Sequence, residues 1–277
     1  RILNDNIFEG INIHYFGGEP LLNIPVLVYL DENIKKITDK IGIVYKAFLT
    51  TNGSMLSKEL LQKVKFSSIQ LTFDGLEKTH DRLRVSDHFH FKEEIELIEN
   101  IMNFSQAKVL LRTNICKENK DEIIALHKYI FEKFGNERIE INPNRTIKYH
   151  QDDSFEMLSV QEYAEVAYQI KLLWSEQKGK FELPVPRSTP CKFPYGISPE
   201  GYCTFCSGSM DQEKKYFFDV DIENKKMFSV RKECKKCNIL PLCLGGCIIQ
   251  YNLRAGACTY EKYELKNILI SYIKHIS

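Results

Sequence analysis

Eight of the nine cysteines in this sequence fall between positions 191 and 258: Cys191, Cys203, Cys206, Cys234, Cys237, Cys243, Cys247 and Cys258. Thiols at this density pair as disulfides, hold zinc, or hold iron–sulfur clusters. Disulfide scaffolds are usually short and carry a secretion signal, whereas this cluster follows a long cysteine-poor region and no signal peptide opens the chain. Metal binding in a reducing cytosol is therefore the expectation. Cys234, Cys237, Cys243 and Cys247 read C-x2-C-x5-C-x3-C, with Gly245 and Gly246 just before the last of them. Close pairs let a short loop wrap one centre. By count, eight thiols suit two zinc ions or two iron–sulfur clusters equally. The x5 and x3 spacings are less typical of zinc pairs and lean toward iron–sulfur.

A second set of chemically able residues is spread through the first half. Gly17-Gly18-Glu19, Thr51-Asn52-Gly53, Asp74-Gly75 and Arg112-Thr113-Asn114 each follow or close an apolar run. Any one of them reads as a turn, because Gly, Asn and Asp suit turns. In succession they mark the C-terminal ends of strands, where barrel enzymes place their active sites. The basic run Lys225, Lys226, Arg231, Lys232, Lys235 and Lys236 reads first as a solvated face. Its sharper reading is compensation of thiolate charge or docking of an acidic redox partner. His80 reads as a helix-start residue and Cys116 as a buried apolar filler.

The elements that must position these residues alternate in type. Strands are expected at Ile11–Phe16, Ala47–Thr51, Ile69–Phe73, Val109–Ile115 and Ile139–Asn142. Helices are expected at Ile24–Ile41, Ser57–Val64, Phe91–Phe104 and Asn119–Phe134, from Leu, Ile and Phe at helical spacing and from Ser57 and Gly135 as caps. Strand–helix alternation implies parallel strands joined by crossovers. With no dinucleotide fingerprint, a barrel-like α/β sheet is the expected fold class. Asn144–Ser154 is polar and aperiodic and marks a boundary. A helix follows at Ser159–Ser175, opened by the Ser159/Glu162 capping box. Pro184, Pro186 and Pro190 form a connector, and Tyr260–Ile276 reads as a closing helix. The expected domains are a barrel over 1–150, a helical linker over 151–190, and a cysteine-rich domain with a terminal helix over 191–277.

Composition sets the outer limits. The net charge of +1 gives no reason to expect nucleic acid or an anionic membrane as a partner. No apolar run approaches the ~20 residues of a membrane helix. Hydrophobic residues at 43% and charged residues at 27% are ordinary for a globular chain, expected here to be cytoplasmic.

Taken together, the motifs resemble those of radical S-adenosylmethionine enzymes with a SPASM domain. Cys191-x9-Gly201-x4-Cys206, then C-x2-C-x5-C-x3-C, then Cys258, is similar to the seven-cysteine SPASM pattern. His14-Tyr15-Phe16-Gly17-Gly18-Glu19-Pro20-Leu21 resembles the GGEP segment at the end of the second barrel strand. Thr50-Thr51-Asn52-Gly53 resembles the third-strand signature, and Thr72-Phe73-Asp74-Gly75 with His80-Asp81 and Arg84 the fourth-strand segment. The resemblance implies a partial (β/α)6 TIM-like barrel followed by a small SPASM domain. It implies S-adenosylmethionine as cofactor, with the Gly17–Pro20 turn and the Glu19 carboxylate against its ammonium. Asn52, Thr72 and Asp74 would offer polar groups to the ribose or methionyl end. Arg112 would face the cofactor carboxylate, its plain alternative being a surface arginine. Two auxiliary 4Fe–4S clusters are implied, one on Cys191, Cys206 and Cys247, the other on Cys234, Cys237, Cys243 and Cys258. Cys203 is the local candidate for the fourth ligand of the first, and an open iron is the other option.

The sequence departs from the family at one point. The C-x3-C-x2-C motif that holds the cofactor-reducing cluster is absent from these 277 residues. The chain opens on Arg1, just before the second barrel strand, so truncation of a longer protein is expected, and this piece should be inactive alone. A degenerate barrel that only binds a precursor peptide is the alternative, and a zinc scaffold without redox chemistry is a third. In full-length form the resemblance implies 5′-deoxyadenosyl radical chemistry on a ribosomally made peptide or protein, as a crosslink or an oxidation. Ser207 follows Cys206, where sulfatase-maturing relatives carry Asp, so a peptide maturase is favoured over that branch.

Overall fold

The computed structural model describes residues 9–84, 86, 89–135, 137–148, 155–186, 196–198, 200, 202–204, 215–216, 232–246 and 258–276. The chain divides into two compact units, Arg1–Arg145 and Thr146–Ser277.

The first unit is built on five strands: β1 (Gly10–Tyr15), β2 (Val44–Thr50), β3 (Phe66–Thr72), β4 (Lys108–Ile115) and β5 (Ile139–Arg145). All neighbouring pairs are parallel, and spatial order equals chain order. This is the order of a barrel wall; a doubly wound sheet reverses direction at a switch point. Among the described residues β1 and β5 are not paired, so the wall is an open partial barrel. The connections carry α1 (Ile24–Ile41), α2 (Lys58–Lys63), α3 (Glu77–Leu83), α4 (Phe91–Phe104) and α5 (Ile123–Phe134).

The two faces of the sheet differ in kind. Side chains alternate along a strand, and in-register partners share a face. Ala47, Leu49, Ile69, Leu71, Val109, Leu111 and Ile139 form one face and are all buried. The helices complete this core with Leu27, Leu61, Ile98, Ile101, Ile123, Leu126 and Ile130. The opposite face carries His14, Thr50, Gln70, Thr72, Arg112 and Asn142. His14 Nε2 and Thr50 Oγ1 are 2.7 Å apart, Gln70 Nε2 donates to Thr50 Oγ1 at 3.3 Å, and Asn142 Nδ2 donates to Gln70 Oε1 at 2.9 Å. Asn142 on β5 thus reaches β3 across the intervening strand, which requires the sheet to curl toward this face. A parallel sheet covered on both sides is apolar on both; this one encloses a polar lumen.

The helix ends explain where the elements stop. Ser57 Oγ accepts from Leu60 N–H at 3.2 Å and starts α2. The last turn of α4 is closed by a cation: the Arg138 guanidinium donates to the carbonyls of Ile101, Met102, Ser105 and Ala107 at 2.9–3.3 Å. α1 and α4 span the residues expected. α5 begins at Ile123 rather than Asn119, because the Asn119 side chain is bound to backbone of the strand ends. α3 was not expected, and its one buried residue is His80, so no apolar periodicity announced it. His80 is an interior residue of that helix, which corrects its reading as a helix start.

In the second unit α6 (Val160–Lys178) opens with the expected capping box, Glu162 N–H donating to Ser159 Oγ and Ser159 N–H to the Glu162 carboxylate. Strands β6 (Gly196–Ile197), β7 (Tyr202–Thr204) and β8 (Lys215–Tyr216) form a small antiparallel sheet. A 3-10 turn at Lys232–Lys236 leads to α7 (Leu240–Cys243), and α8 (Glu261–Ile276) closes the chain. α6 and α8 pack together. Lys171 Nζ meets both oxygens of buried Glu264 at 2.7 and 2.8 Å, Tyr168 and Ser271 hydroxyls are 2.6 Å apart, and Tyr163 stacks edge-on against Tyr260. No helix among the described residues is long and apolar enough to cross a membrane.

Candidate functional site

At the end of β1 the chain turns through Gly17 and Gly18 into a 3-10 turn at Pro20–Asn23. Gly17 has φ +151°, which disfavours any side chain, and a carbon added at Gly17 or Gly18 would meet nothing within 4 Å. This backbone is open to a ligand. Glu19 is not. Its Oε1 accepts from Leu21 N–H at 3.0 Å and Thr51 Oγ1–H at 2.6 Å, and its Oε2 from Asn52 N–H at 2.7 Å. A carboxylate has about four acceptor positions, so protein donors take most of them. Glu19 ties the end of β1 to the end of β2. The Asn52 side chain is also engaged locally, its Oδ1 accepting from Ser54 N–H and Oγ–H.

Asp74 does the same one strand further on. It is 8% exposed. Its Oδ1 accepts from Asn114 N–H at 2.9 Å, and its Oδ2 from Arg84 at 3.4 Å. Its carbonyl accepts from Asn119 Nδ2 at 2.8 Å, and Asn119 also donates to the Asn114 carbonyl and accepts from Cys116 N–H. Arg112 Nε donates to Asn114 Oδ1 at 2.9 Å. Asp74 and Arg112, expected to face a cofactor, thus share one network through Asn114 that knots β3 to β4. Thr72 lies on the lumen side, 7% exposed and in register with Arg112. Gly75 has φ +155°, and a side-chain carbon there would come within 2.5 Å of Glu122 Oε1.

The segment after Asp74 supports this knot. His80 Nδ1 accepts from Asp74 N–H at 3.4 Å, and Asp81 Oδ1 accepts from Phe91 N–H at 2.8 Å to start α4. The other ring nitrogen of His80 lies 3.2 Å from Glu94 Oε2, both side chains being buried. Burial, helped by the nearby Arg84 charge, holds the His80 imidazole down at about pKa 4. Burial also pushes the Glu94 carboxyl well up. The close contact therefore joins two groups that both favour their neutral forms. Cys116 is buried, and burial pushes its thiol up, which suits a filler of the core.

The cysteine-rich segment holds the second site. Cys234, Cys237, Cys243 and Cys258 all line one small cavity, with Ile239, Leu240, Gly245, Thr259 and Lys262 around them. Cys237 N–H donates to the Cys234 carbonyl at 3.0 Å and Leu240 N–H to the Cys237 carbonyl at 3.1 Å, winding the C-x2-C loop into α7. Leu244, Gly245 and Gly246 all adopt positive φ and turn the chain sharply after Cys243. Cys258 comes from the start of α8, which Tyr260 and Glu264 anchor on α6. None of these cysteines is disulfide-bonded. Among the described residues, no three His, Cys, Asp or Glu side chains close around a single metal ion. Cys203 lies on β7. Cys191, Cys206 and Cys247, expected at the other cluster, fall outside the described residues, as do Lys225, Lys226 and Arg231 of the basic run.

Sequence reasoning missed His14, Thr50, Gln70, Asn142, Asn119 and Glu94 as site or support residues. For the first four a signal existed: polar residues at every second position in strands of a parallel sheet. Asn119 and Glu94 carried none, because each lies in a segment of helical pattern.

No known family model matches this chain, and no curated protein sequence does. Solved structures do. Native anSMEcpe with bound AdoMet and Kp18Cys peptide matches with TM-score 0.71 and 18% identity, over 100% of this chain and 87% of that one. Native anSMEcpe with bound AdoMet matches with TM-score 0.71 and 17% identity, over 100% and 88%. SuiB of Streptococcus suis bound to S-adenosylmethionine matches with TM-score 0.57 and 16% identity, over 87% of this chain and 62% of that one. The likeness is one of fold: an α/β chain built on an open parallel sheet, as the resemblance in the motifs implied.

Proposed function

We propose that this chain is part of a radical S-adenosylmethionine enzyme that modifies a ribosomally made peptide or protein, and that Cys234, Cys237, Cys243 and Cys258 hold one of its auxiliary 4Fe–4S clusters. The convergence of these four thiols on one cavity, on a chain with this fold, carries the reading. A tetrahedral zinc site would need the sulfurs about 4 Å apart, from Zn–S bonds of about 2.3 Å, whereas a cubane seats its thiolates on separate irons. Cys191, Cys206 and Cys247 would serve the other auxiliary cluster, with Cys203 as the local candidate for completing it.

In the barrel, the open Gly17–Gly18 backbone would receive the methionyl end of S-adenosylmethionine, with the last acceptor position of Glu19 facing its ammonium. The lumen row of His14, Thr50, Gln70, Thr72 and Asn142 would orient the cofactor and the peptide by hydrogen bonds. Asp74, Asn114 and Arg84 would fix the strand ends rather than touch the cofactor, and Arg112 would act from the rim of that network. The cofactor, when bound and reduced, supplies a radical able to abstract hydrogen. The C-x3-C-x2-C cluster for that reduction is not among these 277 residues and would come from another part of the protein, leaving this chain inactive alone. The proposed domain division is the one expected above. A reducing cytoplasm suits so many thiols, and the exposed lysines Lys232, Lys235 and Lys236 would face an acidic redox donor. Two bound peptides among the similar structures support a peptide partner: anSMEcpe is described with Kp18Cys peptide and with Cp18Cys peptide.

Anaerobic reconstitution with iron and sulfide tests the reading. About eight irons per chain, with broad visible absorption, are expected from two clusters. A colourless protein that takes up two zinc ions would overturn it.

A further inference from the structure

Among the described residues, Lys262 supplies a cation beside the four-thiol cavity. Lys262 lines the cavity, and its Nζ lies 3.9 Å from Cys258 Sγ, within the range of an N–H···S hydrogen bond. The place of Lys262 on the helix is set by the fold. Lys262 sits in the first turn of α8, between Tyr260 and Glu264, and both of those neighbours are fixed on α6. The N-terminus of this helix, where Cys258 and Thr259 lead in, adds the positive end of a macrodipole on the same side.

We infer that Lys262 is a positioning and tuning residue that raises the reduction potential of the cluster on Cys234, Cys237, Cys243 and Cys258. This rests on the proposed cluster. Reduction adds one negative charge to the centre, and a cation in contact with a ligand sulfur stabilises that charge more than the oxidised state. Net charge and hydrogen bonds to sulfur are two of the determinants of cluster potential. Because Lys262 is exposed, salt will screen part of its effect. A moderate shift is therefore expected.

The test is a spectroelectrochemical titration of the reconstituted chain, with iron counted in every sample. Lys262→Met and Lys262→Gln should each move one of the two cluster couples three- to tenfold toward the oxidised form, tenfold being about 59 mV for one electron. Lys262→Arg should restore the wild-type value. Lys266→Met, one turn further along α8, should leave both couples unmoved. The shift should shrink as ionic strength rises from about 0.05 M to about 0.5 M. Iron-loaded Lys262→Met and Lys262→Gln with unshifted couples would overturn the inference and leave the cluster standing. A wild-type chain that binds no iron would overturn the cluster reading, and this inference with it.

Discussion

The hydroxyl of Thr51 donates to the Glu19 carboxylate at 2.6 Å, joining the ends of two neighbouring strands. With Leu21 and Asn52 N–H on the same carboxylate, the loop after β1 and the loop after β2 become one body. Glu19→Gln removes the charge and turns one acceptor into a donor. A loss of about 2 kcal/mol in urea unfolding is expected, since hydrogen bonds to charged groups contribute about 1.5–3 kcal/mol each. Thr51→Val, which removes one of these bonds to the carboxylate and an acceptor for Gly53 N–H, should cost about 2 kcal/mol by the same measurement. An S-adenosylmethionine titration separates the roles: Glu19→Gln should weaken binding, and Thr51→Val should do so much less.

Asn119 makes three hydrogen bonds to backbone groups at the ends of β3 and β4 and is 1% exposed. Asn119→Ala leaves a buried N–H and two carbonyls short of partners, at about 1–3 kcal/mol for each such group, partly relieved by relaxation. The expected loss is about 3 kcal/mol, read as a lower denaturation midpoint at unchanged slope. A midpoint within error of wild type would show that the knot around Asp74 is not needed.

Arg138 closes α4 through four carbonyls. Arg138→Ala should destabilise by about 2 kcal/mol, and Arg138→Lys should recover only part, because a point charge cannot serve a fan of acceptors as a guanidinium does. Hydrogen exchange of the amides near the end of α4 should speed up in both variants.

Acid should weaken the first unit. Burial holds His127 down at about pKa 3 and His80 at about 4, against about 6.5 in an unfolded chain. Below pH 6.5 the unfolded chain takes up protons that the folded chain refuses, so stability falls as pH drops toward those folded values. Glu94 acts in the opposite sense. Its raised pKa means the folded chain keeps a proton the unfolded chain has lost, so acidification relieves part of that cost. Two histidines against one carboxyl leave a net loss. His127→Gln should shrink the loss between about pH 7 and about pH 4.5 by roughly 2 kcal/mol. An unchanged pH profile in that variant would show that the fold does not move His127 from its ordinary pKa.

Much of this fold is legible in the sequence. The five strands announced themselves as apolar runs, and Ser57, Ser159 and Gly135 mark helix ends because their side chains, or lack of one, satisfy local backbone needs. The strand-end motifs lie at or near the C-terminal ends of β1 to β4, as their turn-forming residues implied. What spacing could not reveal is the direction in which a polar side chain spends its hydrogen bonds. Asp74 and Glu19 read as ligand-binding carboxylates, and nothing local announced that long-range partners, Asn114 and Thr51, would also bond to them. Those partners lie 40 and 32 residues away and carry no shared local pattern. Helix α3 escaped notice for a related reason, since the buried residue that anchors it is a histidine rather than an apolar side chain.

Whether Cys234, Cys237, Cys243 and Cys258 share one iron–sulfur centre is read from the iron content of cysteine variants after anaerobic reconstitution. Replacing Cys237 and Cys243 together by Ala should remove about four irons per chain and leave the other cluster's iron and absorption in place. Iron content equal to wild type in that double variant, or zinc bound in place of iron throughout, would contradict the account.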